Sequence, residues 1–370
     1  SDGILTSEAI ELKAGEGFKI RQNSGWDVNR GATGDAEPFE ITPGEAFAVT
    51  NNGKNLTVPA DGKYIVSYNS TEETITVSKA LPDNVWSLIG VDGDWDNDIF
   101  MTEVIPGVWV SPATELATEF KIRYNHDWAV NRGFDQQLAM GESQTALPDG
   151  KNITVAESGT YVVVYDSTNE IIYLQGWSLI GTIGGTSWDT DFPMMPVKDE
   201  ESGQVIWLSY SIDGAEGQEF KIRYNCNWDI NRGGVFADFC EPFAVALNGE
   251  NIKLTENAAV TVAYNPAEEE IVVARSNWGV VGSFNDWGND VVMLETEKGI
   301  YTAVIVLQEE SSFKIRKDKV WGGADRGGVF AALGTPFEVT QGGPDIKLGA
   351  GTYEIEYDSN KETMTIDTVE

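Results

Sequence analysis

Histidine is almost absent from this chain, and cysteine is rare. The only histidine is His126, so a histidine-based catalytic triad and a metal site with several histidines are excluded. We expect His126 to be an ordinary loop residue. The two cysteines, Cys226 and Cys240, lie close together in the sequence. A disulfide between them would suit an exported protein, but two buried free thiols would give the same sequence, so both interpretations stay open.

Positive charge and long apolar runs are also scarce. Lysine and arginine together number 25 against 59 acidic residues, which gives a net charge of −34. Polyanions are repelled by such a chain, so nucleic acid is not expected as a partner. No apolar stretch reaches the roughly 18 residues that cross a bilayer, and the opening SDGILT lacks the basic and apolar regions of a signal peptide. The chain is therefore either intracellular or an exported protein whose signal has been removed.

What the chain does contain is one pattern in four copies, each reading Phe-Lys-Ile-Arg, then a tryptophan, then Arg-Gly. The copies are EGFKIRQNSGWDVNRG, TEFKIRYNHDWAVNRG, QEFKIRYNCNWDINRGG and SSFKIRKDKVWGGADRGG. Their tryptophans are 102, 100 and 93 residues apart, which is the size of a small β-sandwich domain. Short apolar runs between glycine-rich turns predict strands, and no long amphipathic helix is evident.

We therefore predict an all-β fold, a tandem array of four β-sandwich domains of the immunoglobulin-like or carbohydrate-binding-module type. The predicted boundaries are 1–80, 84–174, 176–274 and 277–370. The last three repeats open with a strand that begins at a tryptophan, and the first repeat lacks this strand. The first module is thus predicted to be partial, so that either the sequence starts inside a domain or a neighbour completes the sheet.

Eight of the nine arginines occupy two recurring positions. In the FKIR strand, the two-residue period of a β-strand places phenylalanine and isoleucine inward and lysine and arginine on the outer face. These outer pairs are Lys19 and Arg21, Lys121 and Arg123, Lys221 and Arg223, and Lys314 and Arg316. The second arginine follows the pattern's tryptophan and is predicted to lie in a loop, where binding residues usually gather. With the residue before it, this set is Asn29 and Arg30, Asn131 and Arg132, Asn231 and Arg232, and Asp325 and Arg326.

The twelve tryptophans fall at four recurring positions. Those that open a strand are predicted to be core residues, as are the aromatic residues of a later strand, and these are Trp86, Trp177, Trp278, Trp109, Trp207 and Tyr301. The other tryptophans stand in polar turns or loops with little apolar sequence nearby, and they are Trp95, Trp188, Trp287, Trp26, Trp128, Trp228 and Trp321. This second group predicts exposed aromatic platforms.

Sugars present apolar faces with hydroxyls at their edges, and flat aromatic rings with arginine, lysine and asparagine beside them match that chemistry. The alternative is structural, because a recurring tryptophan can belong to a sandwich core and a recurring arginine can pair with carboxylates in so acidic a protein. The acidic run from Asp92 to Asp98 could bind calcium, but Asx turns are the favoured interpretation because the equivalent turns have fewer oxygens. A glycosidase needs only two carboxylates, yet modules of this size leave little room for a catalytic cleft.

The opening tryptophans, GSFNDW, FKIR and the following tryptophan resemble the SusE/SusF group of outer-membrane starch-binding proteins from Bacteroidetes. The resemblance covers Val85 to the C-terminus and, in part, residues 1–79. It implies a non-catalytic surface lipoprotein of tandem starch-binding modules, anchored by a lipid upstream of Ser1, that works beside a transporter, its lid protein and amylases. It also implies an arc of aromatic residues with arginine, lysine or asparagine touching glucose hydroxyls.

By this resemblance the binding set of the second module is Trp95, Trp128, Arg123 and Lys121. The sets of the third and fourth modules are Trp188, Trp228, Arg223 and Lys221, and Trp287, Trp321, Arg316 and Lys314. The first module keeps only Trp26, Arg21, Lys19 and Asn29. The expected partner is starch or maltooligosaccharides, with no cofactor and no metal, and the protein is expected to be a monomer. Another glycan from a related utilisation locus, or a structural or adhesive spacer without glycan binding, are the alternatives.

Overall fold

The protein is all-β, as predicted. The computed structural model describes residues 3–198, 203–322 and 324–369. Within these ranges the only helical segments are three short 3-10 turns, Val91–Gly93, Ile183–Gly185 and Ser283–Asn285. No helix in the same ranges is long and apolar enough to cross a membrane. The chain divides into two compact units, Ser1–Asn84 and Val85–Glu370.

The first unit holds the first repeat and has its own core around Leu56, Tyr64 and Ile75. Its strands are β1 (Ile4–Thr6), β2 (Ile10–Leu12), β3 (Ile20–Arg21), β4 (Asn29–Ala32), β5 (Phe39–Glu40), β6 (Ala46–Asn51), β7 (Leu56–Thr57), β8 (Gly62–Asn69) and β9 (Thr74–Lys79). The main sheet has the order β1-β8-β9-β6-β4-β3. In the described part of this unit β3 pairs with β4 alone, whereas its counterparts in the later repeats also pair with an opening strand. That the first module is partial stays a prediction.

The second repeat is a two-layer sandwich around Trp86, Phe120 and Tyr165. Its strands are β10 (Trp86–Ile89), β11 (Ile99–Phe100), β12 (Thr102–Ile105), β13 (Val108–Val110), β14 (Thr114–Leu116), β15 (Lys121–Tyr124), β16 (Asp127–Gly133), β17 (Gln137–Leu138), β18 (Ser143–Thr145), β19 (Leu147–Pro148), β20 (Thr154–Val155), β21 (Gly159–Tyr161), β22 (Val163–Asp166) and β23 (Ile171–Leu174). One layer has the order β11-β10-β15-β16-β19 and the other the order β12-β13-β22-β23-β18.

The third repeat has the same core, built on Trp177, Phe220 and Tyr264. Its strands are β24 (Trp177–Gly181), β25 (Asp191–Lys198), β26 (Val205–Ser209), β27 (Ile212–Gly214), β28 (Glu219–Tyr224), β29 (Asn227–Arg232), β30 (Phe243–Ala244), β31 (Ile252–Lys253), β32 (Ala258–Asn265) and β33 (Glu270–Arg275). The first half of β25 pairs with β24 and the second half with β26, so this strand passes from one layer to the other.

The fourth repeat repeats this arrangement around Trp278, Phe313 and Tyr357. Its strands are β34 (Trp278–Gly282), β35 (Val291–Glu297), β36 (Ile300–Leu307), β37 (Ser311–Lys317), β38 (Asp325–Gly328), β39 (Phe337–Gln341), β40 (Ile346–Leu348), β41 (Gly351–Asp358) and β42 (Thr363–Thr368). The strand-opening tryptophans are buried in all three later repeats, as are Trp109, Trp207 and Tyr301, so the predicted core aromatics are confirmed. Four cores thus correspond to the four repeats, while the exact domain boundaries stay a prediction.

The three later repeats contact one another inside the second unit. Val108, Val164 and Tyr173 of the second repeat pack against Met195 and Tyr210 of the third. Between the third and fourth repeats, Arg275 donates to Oε2 of buried Glu295 over 2.7 Å. The Cys240 thiol lies 3.2 Å from the Glu295 carbonyl oxygen in the same contact.

The two cysteines are free thiols, so of the two interpretations left open by the sequence the disulfide is wrong. Cys226 Sγ accepts a hydrogen bond from Gln175 Nε2 over 3.1 Å, and Cys240 lies in the contact with the fourth repeat. Burial raises the pKa of the Cys226 thiol to about 11 and that of the Cys240 thiol to about 12. Both thiols are therefore protonated at neutral pH.

Candidate functional site

Two tryptophans from different strands meet at the surface of each of the three later repeats. We call them platform pairs: Trp95 with Trp128, Trp188 with Trp228, and Trp287 with Trp321. Their ring centroids lie 6.0, 6.0 and 5.9 Å apart, and their planes are inclined by 37°, 39° and 52°. The second ring of each pair is 43–44% exposed and the first is half-buried. The prediction of exposed rings is therefore confirmed for the second tryptophans and only partly for the first.

A tight hairpin and a bulge present the second tryptophan of the pair. Asn125 and His126, between β15 and β16, both have positive φ, which is the geometry of a two-residue type I′ turn and suits asparagine at its first position. Arg123 pairs with Asn131 and Tyr124 with Asp127, so the ladder skips residues 128–130. Trp128 is thereby pushed out of the sheet. The third repeat has the same turn and register, with Trp228 in the bulge.

The first tryptophan stands in a turn that follows the opening strand. Gly90 has a φ of +92°, and a Cβ there would lie 2.5 Å from the Trp95 ring, so only glycine fits under this ring. Asp94 Oδ1 accepts the backbone N–H groups of Asp96 and Asn97, both at 3.0 Å. This confirms the predicted Asx turn. Among the described residues no group of three histidine, cysteine, aspartate or glutamate side chains could hold a metal ion.

The FKIR arginines lie beneath the second tryptophan rather than in solvent. Arg123, Arg223 and Arg316 are only 6–8% exposed. Their guanidinium carbons lie 4.9, 4.9 and 4.7 Å from the ring centroids of the second tryptophans. The predicted outer face of the strand is correct, but the second tryptophan covers it, so these three arginines are buried.

Each of these arginines is bound by one aspartate. Arg123 donates from Nε to Oδ1 of Asp98 over 2.9 Å and from Nη2 to Oδ2 over 2.6 Å. Arg223 makes the same fork with Asp191, and Arg316 with Asp290. Burial opposes ionisation of Asp98, but hydrogen bonds from Arg123, Ser87 and His126 keep the pKa of this carboxyl below its usual value. His126 is therefore a partner of Asp98 and not the ordinary loop residue that we predicted.

The FKIR lysines and the asparagines tie the bulge to the sheet. Lys121 Nζ donates to Asn131 Oδ1 over 2.7 Å, and Asn131 Nδ2 donates to the carbonyl oxygen of Trp128 over 2.8 Å. Lys221 and Asn231 repeat this chain at 3.3 and 2.8 Å. In the fourth repeat Lys314 pairs directly with Asp325 at 3.0 Å. The asparagines are buried, so they act on the tryptophan from behind and do not reach a ligand themselves.

The second set of arginines lies in strands and pairs with partly exposed glutamates, so its predicted place in a loop is wrong. Arg132 forms a two-bond fork with Glu170, at 2.8 and 2.7 Å, and lies 5.5 Å from the centroid of the core residue Trp86. The corresponding forks are Arg30 with Glu73, Arg232 with Glu269, and Arg326 with Glu362. Burial of Glu170 works against its ionisation, yet Arg132 and Tyr165 hold its pKa below the usual value. These arginines are structural, which was the alternative left open by the sequence.

The first repeat has a single platform ring. Trp26 is 62% exposed, and Arg21 lies 5.0 Å from its centroid. Arg21, unlike its counterparts, is exposed, as predicted, and Lys19 is half-buried. Asn29 donates to the Trp26 carbonyl oxygen over 2.9 Å, while its own buried Oδ1 accepts no hydrogen bond. No second ring faces Trp26 among the described residues of this unit.

The acidic partners of both arginine sets were not predicted from the sequence. Asp98, Asp191 and Asp290 each follow the first platform tryptophan by three residues, and this constant spacing was a usable signal. Glu73, Glu170, Glu269 and Glu362 each precede the last strand and have positive φ, which is uncommon for glutamate. Because 59 acidic residues are spread over the chain, neither set stands out by composition.

The fold and the site together define a chain of repeated β-sandwiches whose surfaces carry paired, inclined tryptophans. No family model matches the sequence, and no curated protein matches it. Solved structures similar to this chain include the crystal structure of SusF from Bacteroides thetaiotaomicron, which is 12% identical. That alignment covers 88% of this chain and 82% of SusF with a TM-score of 0.24. A likeness this weak assigns neither a ligand nor an activity.

Proposed function

We propose that this protein is a non-catalytic carbohydrate-binding protein, which holds starch or a related α-glucan on its tryptophan platforms. The observation that carries this proposal is the threefold recurrence of a platform pair with one ring 43–44% exposed. Exposed tryptophan is costly in water and is enriched where a surface binds a partner. The same geometry at three places, with a single ring at a fourth, favours binding to a polymer that offers many equal sites.

The inclination of the rings supports an α-glucan over a flat glycan. Planes that differ by 37° to 52° cannot both stack on a ribbon of coplanar sugars. They can follow a chain whose successive sugars turn, as they do in starch. Lys121, Lys221 and Lys314 are half-buried, and each ammonium group has N–H donors beyond its hydrogen bond to Asn131, Asn231 or Asp325, which we propose for sugar hydroxyls.

We further propose that the protein acts at the cell surface, held by a lipid anchor upstream of this sequence and beside other glycan-uptake proteins. The sequence resemblance carried by the opening tryptophans, GSFNDW and FKIR supports this location and these partners. The protein is proposed to act as a monomer, capturing the polysaccharide for uptake without cleaving it.

Electrophoresis through native gels that contain amylopectin, dextran or xylan tests the proposal. We expect retardation by amylopectin relative to a blank gel and no release of reducing sugar after long incubation with starch. Substitution of Trp26, Trp128, Trp228 and Trp321 by alanine in one chain should abolish the retardation. The matched control replaces four exposed apolar residues outside the platforms by alanine, namely Leu5, Val197, Val304 and Val306. Retardation that survives loss of all four tryptophans, or is absent in the natural sequence, contradicts the proposal.

A further inference from the structure

The two tryptophans of a platform pair come from different segments of the chain, and one ion pair joins these segments. Asp98 lies three residues after Trp95 in the turn that follows β10. Arg123 lies in β15, five residues before Trp128. The third and fourth repeats have the same spacings, with Asp191 and Arg223, and with Asp290 and Arg316. The aspartate therefore belongs to the segment of the first ring, and the arginine to the segment of the second.

This ion pair is built to hold its geometry. Its carboxylate and guanidinium meet through two N–H···O bonds, which fix the relative orientation of the two planar groups. Side chains of Asp98 and Arg123 are 3% and 8% exposed, so water does not compete with these bonds. Ser87 Oγ on β10 also donates to Asp98, so the turn is tied to the opening strand. Because the guanidinium also lies under Trp128, its position bears on the second ring directly.

The inclination of the two rings differs between repeats in which the contacts of the arginine differ. In the fourth repeat Arg316 Nη2 also donates to the carbonyl oxygen of Gly288, next to Trp287, over 2.9 Å. The platform planes there are inclined by 52°, against 37° and 39° in the other two pairs. The first repeat has no aspartate bound to Arg21 among the described residues, and it has one ring only.

We propose that Asp98, Asp191 and Asp290 are positioning residues of the platforms. Each one binds its arginine as a brace between the two ring-bearing segments and thereby sets the separation and inclination of the rings. The brace determines which curvature of glycan the pair accepts, an inference that rests on the proposed function. The aspartates do not touch the glycan themselves.

The test isolates one platform pair in the full chain. The parent variant carries Trp26→Ala, Trp228→Ala and Trp321→Ala, which leaves only the pair of the second repeat. Asp98→Ala and Asp98→Asn are made in this parent, and calorimetry measures the Kd of linear maltoheptaose and of the closed ring β-cyclodextrin. The matched control is Glu170→Gln, which breaks the other arginine fork of the same repeat, behind the platform.

We expect Asp98→Ala to raise the Kd of both saccharides by roughly tenfold, which is the usual consequence of losing one main contact in a binding site. The ratio of the two Kd values should also change, because a loosened pair no longer selects one curvature. Asp98→Asn, which keeps the shape but loses the charge, should lie between parent and alanine variant, and Glu170→Gln should leave both Kd values unchanged. An Asp98→Ala variant that binds both saccharides as tightly as its parent overturns the brace, as does an equal loss in Glu170→Gln.

A second readout separates the brace from the proposed function. Two indole rings at 6.0 Å give an exciton couplet in far-ultraviolet circular dichroism, which Trp95→Ala removes. The brace predicts that Asp98→Ala removes the same couplet without ligand, and a couplet that persists overturns it. If the parent binds neither saccharide while the couplet behaves as expected, the function fails and the brace stands.

Discussion

A tryptophan with nearly half of its surface in water is expensive to keep unless that surface binds something. Trp128, Trp228 and Trp321 meet this description, and each has a buried arginine beneath its ring. The polar residues around them form hydrogen bonds with one another, arginine with aspartate and lysine with asparagine. At the scale of the residue, therefore, the proposed function rests on the aromatic surface, and most of the polar residues hold that surface in place.

Truncation of the core tryptophan and of the platform tryptophan in the second repeat should have different effects on stability and on binding. Trp86→Ala removes a buried core ring and should destabilise its repeat by about 3–5 kcal/mol. Trp128→Ala removes an exposed ring with a cation–π contact and should cost less than about 1 kcal/mol. Differential scanning calorimetry of the full chain measures the first effect, and affinity gels measure the loss of binding by the second. If Trp128→Ala lowered the transition as far as Trp86→Ala, the ring would be structural and the protein a spacer.

The site could be predicted from sequence where neighbouring residues carry the signal. It could not be predicted where the feature depends on the pairing of distant strands. The platform tryptophans were found because their polar neighbours in sequence do not bury them. The burial of Arg123 was not predicted, because period-two reasoning says which face of a strand a side chain occupies and not what covers that face. The cover is a bulge formed by residues 128–130, and its cause is a register shift that only strand pairing shows. Asp98 was missed because it is one carboxylate of 59.

At the scale of the element, the glycine after the second arginine lies where two strands approach each other closely. This glycine is not required by a turn, because Gly133 lies in β16 and is not among the residues with positive φ. A Cβ on Gly133 would lie 1.9 Å from the carbonyl oxygen of Lys151. The matching approaches of Gly31, Gly233 and Gly327 are 2.2, 2.2 and 2.3 Å. The strand that carries this glycine is thus pressed against a neighbouring backbone in every repeat.

Gly133→Ala should therefore destabilise the second repeat by at least about 1–3 kcal/mol, the usual range for overpacking, because a backbone atom and not a flexible side chain must move. Gly349 is the matched control, since it is exposed, has no positive φ, and its added Cβ would meet nothing within 4 Å. Gly349→Ala should be neutral or slightly stabilising. Calorimetry of both variants compares them, and equal transitions would show that β16 has room for a side chain.

The strands themselves were the easier part to predict. FKIR and the paired last strands of each repeat alternate apolar and polar residues, and Phe120 and Ile122 are fully buried as that pattern requires. What the pattern does not contain is the contact between repeats. Val108 and Tyr173 lie on the outer face of their sheet, and nothing in their own strands says that Met195 and Tyr210 will cover them.

At the scale of the molecule, three repeats with separate cores form a single compact unit, Val85–Glu370. Under the proposed function, three platform pairs in one such unit would engage one polymer together, and weak single sites would add up to firm retention. This arrangement depends on the contacts between repeats as much as on the platforms. The contact between the third and fourth repeats contains a buried charge, and that makes it the most sensitive to substitution.

Arg275→Ala should weaken the joint between the third and fourth repeats, because it leaves the Glu295 carboxylate buried without its cation. Glu295 is 3% exposed, and the loss of one partner of such a pair costs about 3–5 kcal/mol. Adding Glu295→Gln should recover part of this loss, because it removes the buried charge and keeps the acceptor for the Gly299 N–H group. The control is Lys151→Ala, whose ion pair with Asp135 is exposed and should contribute at most about 1 kcal/mol. Calorimetry should show a lower transition for Arg275→Ala alone, and a loss no larger than that of Lys151→Ala would mean that the two repeats do not depend on this ion pair.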